Sequence, residues 1–214
     1  MKQNTETKTA HHPMNMWPFA AVFVICAVIQ FDALTAIIPN QTAALGTTPV
    51  VWGIGAVLIS VKMKRENIDH LLYNSFPLSG RDGLILFFVI TGGIAMAAGN
   101  YLYAGLKPLF IRELFTGYPL YTIRNIIYYP LEVLLMMQLL IHSQAAGELL
   151  TKRSSIPWGA FALFLLWGLP HTLWHGFSDG IVSALRAFIY SIPFYASGKN
   201  IKTSYIGMIL LWFL

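Results

Sequence analysis

Apolar stretches long enough, or nearly long enough, to cross a lipid bilayer recur along the whole chain, and they constrain its fold more than any other feature. Hydrophobic residues make up 56% of the 214 residues and charged residues only 11%, far from the balance of a soluble globular domain. Backbone polar groups in lipid must be paired within their own segment, so helices are expected. The sequence therefore predicts an all-α fold, a polytopic membrane helical bundle with about six to seven transmembrane helices.

The predicted spans leave no room for a soluble domain of useful size. Residues 1–16 form a polar N-terminal tail, and residues 17–214 form a single transmembrane helical domain. We predict an interfacial segment over 67–79 and a re-entrant or interface-lying loop over 106–121. The predicted spans are Trp17–Ile38, Thr48–Val61, Asp82–Tyr103, Ile123–Ser143, Ile156–Trp174, Gly180–Ala196 and Thr203–Leu214.

The basic residues lie in short segments between the predicted spans and form no continuous basic face, although the net charge is +5. This distribution argues against a nucleic-acid partner and favours orientation by the positive-inside rule. It predicts an integral protein of the plasma (inner) membrane with a cytoplasmic N-terminus. The single cysteine, Cys26, excludes intrachain disulfides and thiolate metal clusters.

Glu132 is a carboxylate inside the fourth predicted span, where exposure to lipid would be costly. It must therefore face protein or water, and desolvation would make it a stronger base near neutral pH. A structural alternative is a buried ion pair with Arg186, which the helix rise places at a similar depth in the sixth span. His142 lies later on the fourth span, nearer the cytoplasmic end, and we place it outside this site.

Two histidines, His171 and His175, lie one helical turn apart at the end of the fifth predicted span. This spacing puts both rings on one side of a helix, where they could share a divalent metal such as zinc or one substrate oxygen. Capping of the helix end or binding of lipid headgroups is the structural alternative. Asp179 either completes a ligand set or caps a helix that begins at Gly180. The predicted topology puts Glu132 and both histidines in the outer half of the membrane.

The rest of the sequence shows no further catalytic motif that we recognise. The sequence contains no glycine-rich phosphate loop, dinucleotide fingerprint or serine nucleophile elbow, so phosphoryl transfer and serine hydrolysis have no support. In the connector after the fourth span, Glu148 and Lys152 have the spacing of a surface ion pair on a helix.

The motifs around Glu132 and His171 resemble those of the CPBP family, which contains CAAX prenyl endopeptidases and bacteriocin-processing intramembrane proteins. The segment Pro-Leu-Glu132 is similar to a reduced form of the family's glutamate motif, and Trp167-Gly-Leu-Pro-His171 matches its second motif, an aromatic residue, three residues and a histidine. The resemblance covers roughly residues 121–214. The family's second glutamate and its arginine are missing beside Glu132, and no histidine follows His175.

The resemblance implies an intramembrane hydrolase, a glutamic or metal-dependent peptidase that acts on a membrane-associated peptide or protein. It makes Glu132 the general base, while His171 and His175 stabilise the oxyanion or hold a metal such as zinc. Arg186 would replace the missing arginine, with Asp179 in support. Two alternatives stay open: a noncatalytic binding, immunity or scaffold protein of the same fold, and a small transporter whose intramembrane charges form a substrate path.

Overall fold

The computed structural model describes residues 16–31, 41–65, 83, 87, 91–94, 98, 102 and 119–213. None of these residues lies in a β-strand, which confirms the all-α prediction for the described part of the chain. The elements are α1 (Trp17–Ile29), α2 (Gln41–Arg65), α3 (Pro119–Thr151), α4 (Trp158–Leu163), a π-helix (Phe164–Gly168), α5 (His171–His175), α6 (Phe177–Ala196) and α7 (Ile201–Phe213).

Helix α3 is the centre of the described bundle and packs against α1, α2, α4 and α7. A helix that is apolar on nearly every face is stable only when every face is covered, and residues 135–146 of α3 are all buried. Among the described residues, Ile126–Thr151 of α3 is the one helix long and apolar enough to cross a membrane. Shorter apolar helices are Trp17–Ile29, Trp158–Leu173, Gly180–Ala196 and Ile201–Phe213.

The helices agree with the predicted spans in type but differ in extent. α2 begins at Gln41 and contains Pro49, so it is longer than the predicted second span. α3 contains Pro130 and continues past the predicted end of the fourth span to Thr151. A proline inside a helix removes one backbone hydrogen bond without necessarily ending the helix. Prolines are therefore poor guides to the ends of these two helices.

Four predictions fall wholly or mostly outside the described residues. These are the polar N-terminal tail 1–16, the interfacial segment 67–79, the loop 106–121 and the third span. The described positions of the third span, at 83, 87, 91–94, 98 and 102, are all helical.

Contacts between helix ends fix the directions of the helices. Glu148, near the end of α3, forms an ion pair with Lys199, which follows α6. Trp17, at the start of α1, contacts His142 of α3 edge-to-face, with 6.1 Å between ring centroids. The Nζ of Lys62, near the end of α2, lies 5.5 Å from the centre of the Trp17 ring. The start of α1 and the ends of α2, α3 and α6 therefore meet at one end of the bundle.

We call this end the basic end, because lysines and arginines at the ends of α2, α3 and α6 and at the start of α7 gather there. They are Lys62, Lys64, Arg65, Lys152, Arg153, Lys199 and Lys202. The predicted ion pair between Glu148 and Lys152 is wrong, since Glu148 pairs with Lys199. Lys152 is exposed just after α3 ends, in a left-handed conformation with φ 57°. A left-handed residue turns the chain out of the helix, so Lys152 does not keep the helical spacing on which that prediction depended.

Gln144 joins three parts of the bundle near the basic end through its side-chain amide. Its Nε2 donates to Glu148 Oε1 at 2.6 Å and to the Ile156 carbonyl at 3.0 Å. Its Oε1 accepts hydrogen bonds from the Gly159 backbone N–H at 3.0 Å and from the Tyr195 hydroxyl at 2.7 Å. Glu148, Ile156 and Tyr195 are partly buried, and all four bonds converge on the fully buried amide of Gln144. They fix α4 and the end of α6 against α3.

Glycines allow the π-helix and α5 to approach α6 closely. A Cβ atom on Gly168 would lie 2.4 Å from the Cα of Ala184, and one on Gly180 would lie 2.3 Å from the backbone N of Thr172. Both distances are far too short for a real Cβ contact, so neither position accepts a larger residue without backbone movement. Gly176 connects α5 to α6 with φ 92°, a conformation that favours glycine. The hairpin from the π-helix to α6 therefore depends on small residues.

Large apolar side chains are exposed on the outer faces of the described helices. Examples are Phe23 of α1, Leu58 of α2, Leu150 of α3, Leu165 of the π-helix, Leu185 of α6 and Ile206 of α7. Several polar side chains are instead buried between the helices, among them Glu132, Gln138, His142 and Gln144. Extensive exposed apolar surface is characteristic of contact with lipid or with another protein.

Candidate functional site

The π-helix at Phe164–Gly168 follows from the local sequence and from a contact with α1. Leu169 N–H donates to the Phe164 carbonyl at 2.9 Å, the wide hydrogen bond of a π-turn. Pro170 has no N–H for the Leu166 carbonyl, which would otherwise be its partner in an α-helix. Gln30 Nε2 donates to that Leu166 carbonyl at 3.2 Å. The predicted continuous fifth span is therefore interrupted here, and the interruption positions Trp167.

Glu132 and Trp167 form a direct hydrogen bond across the helix interface. Trp167 Nε1 donates to Glu132 Oε1 at 3.1 Å, although the two residues are 35 positions apart. Glu132 is 6% exposed and Trp167 is 2% exposed, so the bond lies in the protein interior. Tyr205 of α7 donates from its hydroxyl to the carbonyl of Pro130, two residues before Glu132, at 3.1 Å. The position of the carboxylate is thus fixed by α3, the π-helix and α7.

His171 contacts the same tryptophan from one helical turn later. Its Nδ1 donates to the Trp167 carbonyl at 2.7 Å, and the two ring centroids are 4.8 Å apart. Because a carbonyl oxygen only accepts, the proton lies on Nδ1, and in the neutral ring Nε2 is an acceptor. Trp167 therefore contacts both Glu132 and His171. The two sequence motifs identified around these residues meet at its indole.

Aromatic side chains surround this centre. Trp212 of α7 lies 5.6 Å from Trp167 and 5.3 Å from Tyr190 of α6, measured between ring centroids. Tyr129 of α3 lies 5.9 Å from Trp212, and Tyr190 lies 6.1 Å from Trp167. Sequence reasoning missed these three aromatic residues. An aromatic side chain in an apolar span looks the same in the sequence whether it faces lipid or a site, so no signal distinguished them.

The structure describes the remaining predicted site residues to different extents. His175 is the last residue of α5, one turn after His171, but its side chain lies outside the described part of the structure, as does that of Asp179. The prediction that Asp179 caps a helix is wrong, because α6 begins at Phe177 and Gly176 occupies the cap. Arg186 is exposed on α6, while Glu132 is buried. Their predicted ion pair and the role of Arg186 as a replacement for the motif arginine stay predictions.

A metal centre receives no support from the described side chains. They include no group of three or more histidine, cysteine, aspartate or glutamate residues placed to hold a metal ion. The proposed zinc ligands His171 and His175 would need a third side chain. A zinc site at these histidines therefore stays a prediction from the sequence.

Comparison with known proteins does not assign a function to this site. No protein-family model, no curated protein sequence and no solved structure matches the chain. The resemblance to the CPBP family thus depends on the short motifs at Glu132 and at Trp167 to His171.

We predict that Trp167→Phe destabilises the protein by roughly 1–3 kcal/mol, because it removes a donor from a buried carboxylate while keeping an aromatic ring. Trp52→Phe is the matched control, since Trp52 is also buried and its Nε1 has no hydrogen-bond partner among the described residues. Chemical unfolding of the purified protein in detergent micelles measures both variants. Equal losses for the two would mean that the bond to Glu132 adds no stability.

Proposed function

We propose that the chain is a polytopic membrane protein and an intramembrane hydrolase of the CPBP type, acting on a membrane-associated peptide. The observation that carries the proposal is the contact of Trp167 with both Glu132 and His171 inside the bundle. A buried carboxylate and an imidazole that contact the same tryptophan are suitable groups for acid–base chemistry on a peptide bond. Glu132 lies on α3 and His171 on α5. The resemblance to the CPBP motifs also implies that these two residues belong to one active site.

The membrane assignment is supported by the surface and by the distribution of charge. The exposed apolar side chains suit contact with lipid tails, whereas buried Glu132 and Gln144 are sheltered from them. The basic end gathers lysines and arginines from several helix ends, as the positive-inside rule expects at a cytoplasmic surface. We therefore propose the plasma (inner) membrane as the location, with the start of α1 on the cytoplasmic side. Glu132 then lies toward the outer side.

The proposed reaction needs only groups that the chain supplies. Glu132 takes a proton from a water molecule, and the water oxygen attacks the carbonyl carbon of the peptide bond. A protonated His171 would donate a hydrogen bond to the oxygen on which negative charge develops. The carbon–nitrogen bond then breaks, and the amine leaves with the proton that Glu132 returns. Trp167 is a positioning residue, because it holds the Glu132 carboxylate and the His171 ring in one place.

The test compares new peptide termini in membranes from cells that produce the wild-type protein or the double variant Glu132→Gln/His171→Ala. Mass spectrometry of labelled N-termini should find cleavage products that require the wild-type chain and disappear with the double variant. Thermal unfolding of both purified proteins must first show that the variant is folded. Identical sets of termini would overturn the hydrolase, and would instead favour a noncatalytic binding or scaffold protein in which Glu132 and Trp167 only stabilise the bundle.

A further inference from the structure

A second polar pair lies on α3, nearer the basic end than Glu132. Gln138 and His142 are four residues apart and therefore share one face of the helix, and they are 2% and 0% exposed. Gln138 Oε1 and His142 Nε2 have no hydrogen-bond partner in the part of the chain that the structure describes. Buried polar atoms are almost always paired. Two such atoms on one helix face point to a ligand between α3 and its neighbours.

Both atoms are hydrogen-bond acceptors. His142 Nδ1 lies 2.8 Å from the Gln138 carbonyl, which can only accept, so Nδ1 carries the proton and Nε2 of the neutral ring is an acceptor. Gln138 Nε2 donates to the Ala56 carbonyl at 2.9 Å and to Ser60 Oγ at 2.7 Å. These two bonds fix the orientation of the amide and leave Oε1 as its acceptor. The ligand must therefore be a hydrogen-bond donor.

The neighbouring helices limit the size and charge of that donor. Trp17 of α1 contacts the His142 ring edge-to-face, and Gln138 is bonded to α2, so both α1 and α2 pack beside the pair. The ammonium group of Lys62 lies 5.5 Å from the centre of the Trp17 ring. A cation beside His142 would be repelled by this charge, whereas a neutral donor would not.

We infer that Gln138 and His142 form a binding site for one neutral hydrogen-bond donor of the size of water, covered by the indole of Trp17. A water molecule has two hydrogens and can donate one to each acceptor, the usual role of water inside proteins. The cation–π contact with Lys62 holds Trp17 over the site. This site is separate from Glu132 and does not depend on the hydrolase activity.

Solid-state NMR of the wild-type protein in liposomes tests the ligand directly. With ¹⁵N-labelled histidine, His142 should show a protonated Nδ1 and an unprotonated Nε2. Magnetisation transferred from water should reach its ring, as it should reach the partly exposed Glu148, but not the buried side chain of Leu139. A protonated Nε2, or no transfer from water to the His142 ring, would overturn the site.

Chemical modification tests whether Trp17 covers His142. Diethyl pyrocarbonate acylates unprotonated imidazole nitrogens, and mass spectrometry distinguishes His142 from the other histidines. Trp17→Ala should increase the rate of His142 modification at least several-fold over the wild-type rate. Trp52→Ala is the matched control, because it removes another buried tryptophan whose ring lies against Tyr128, and it should leave the rate unchanged. Equal rates in wild type and Trp17→Ala would show that Trp17 is not the cover.

Discussion

Glu132→Gln should lower the rate of the proposed peptide hydrolysis by about 10²–10⁴-fold, the usual contribution of a positioned acid–base group. Glutamine has nearly the same shape and keeps an oxygen that can accept the hydrogen bond which Trp167 Nε1 now donates at 3.1 Å. The change therefore removes the proton acceptor with little effect on packing. Initial rates of the purified protein in liposomes, on a peptide identified from its cleaved termini, measure the loss.

Glu148→Gln is the control for this substitution. It makes the same chemical change on the same helix, but at the basic end, where Glu148 contacts Lys199 and Gln144. We expect Glu148→Gln to keep the hydrolysis rate within a small factor of wild type. An unchanged rate in Glu132→Gln, with wild-type stability, would remove Glu132 from the reaction. An equal loss in both variants would indicate a shared effect on folding instead.

Gln144→Leu should destabilise the protein by roughly 3–5 kcal/mol, because it leaves four buried or partly buried polar groups without their present partner. Gln144 is fully buried, and its amide bonds to Glu148, the Ile156 carbonyl, the Gly159 N–H and the Tyr195 hydroxyl. Leucine has a similar volume, so the loss comes from hydrogen bonding and not from a cavity. Chemical unfolding in detergent micelles measures the change.

Ser143→Ala provides the control at the adjacent position. Ser143 is buried like Gln144, but its hydroxyl has no hydrogen-bond partner among the described residues. Removing an unpartnered buried hydroxyl should leave stability nearly unchanged or raise it slightly. If Gln144→Leu were as mild as Ser143→Ala, the amide would not fix α4 and α6 against α3.

The sequence predicted the helical class and most helix positions well. α1 begins at Trp17 and α6 ends at Ala196, as their hydropathy indicated. The sequence also placed Glu132 and His171 at a similar depth, and the structure brings both to Trp167. It did not predict the π-helix. A π-turn depends on whether the carbonyls before Pro170 find other hydrogen-bond donors, and one of these donors is Gln30, the residue that follows α1.

Local chemistry is enough to determine a chain of apolar helices. Long apolar runs and the need to pair backbone groups within each segment are properties of neighbouring residues, and they are readable in the sequence. The partners of the polar side chains were decided only by tertiary structure. Trp167 bonds to a carboxylate 35 residues away, and Glu148 pairs with Lys199, 51 residues away, in preference to nearby Lys152. Such partners depend on which helix faces pack together and on where each helix ends, and both are properties of the whole bundle.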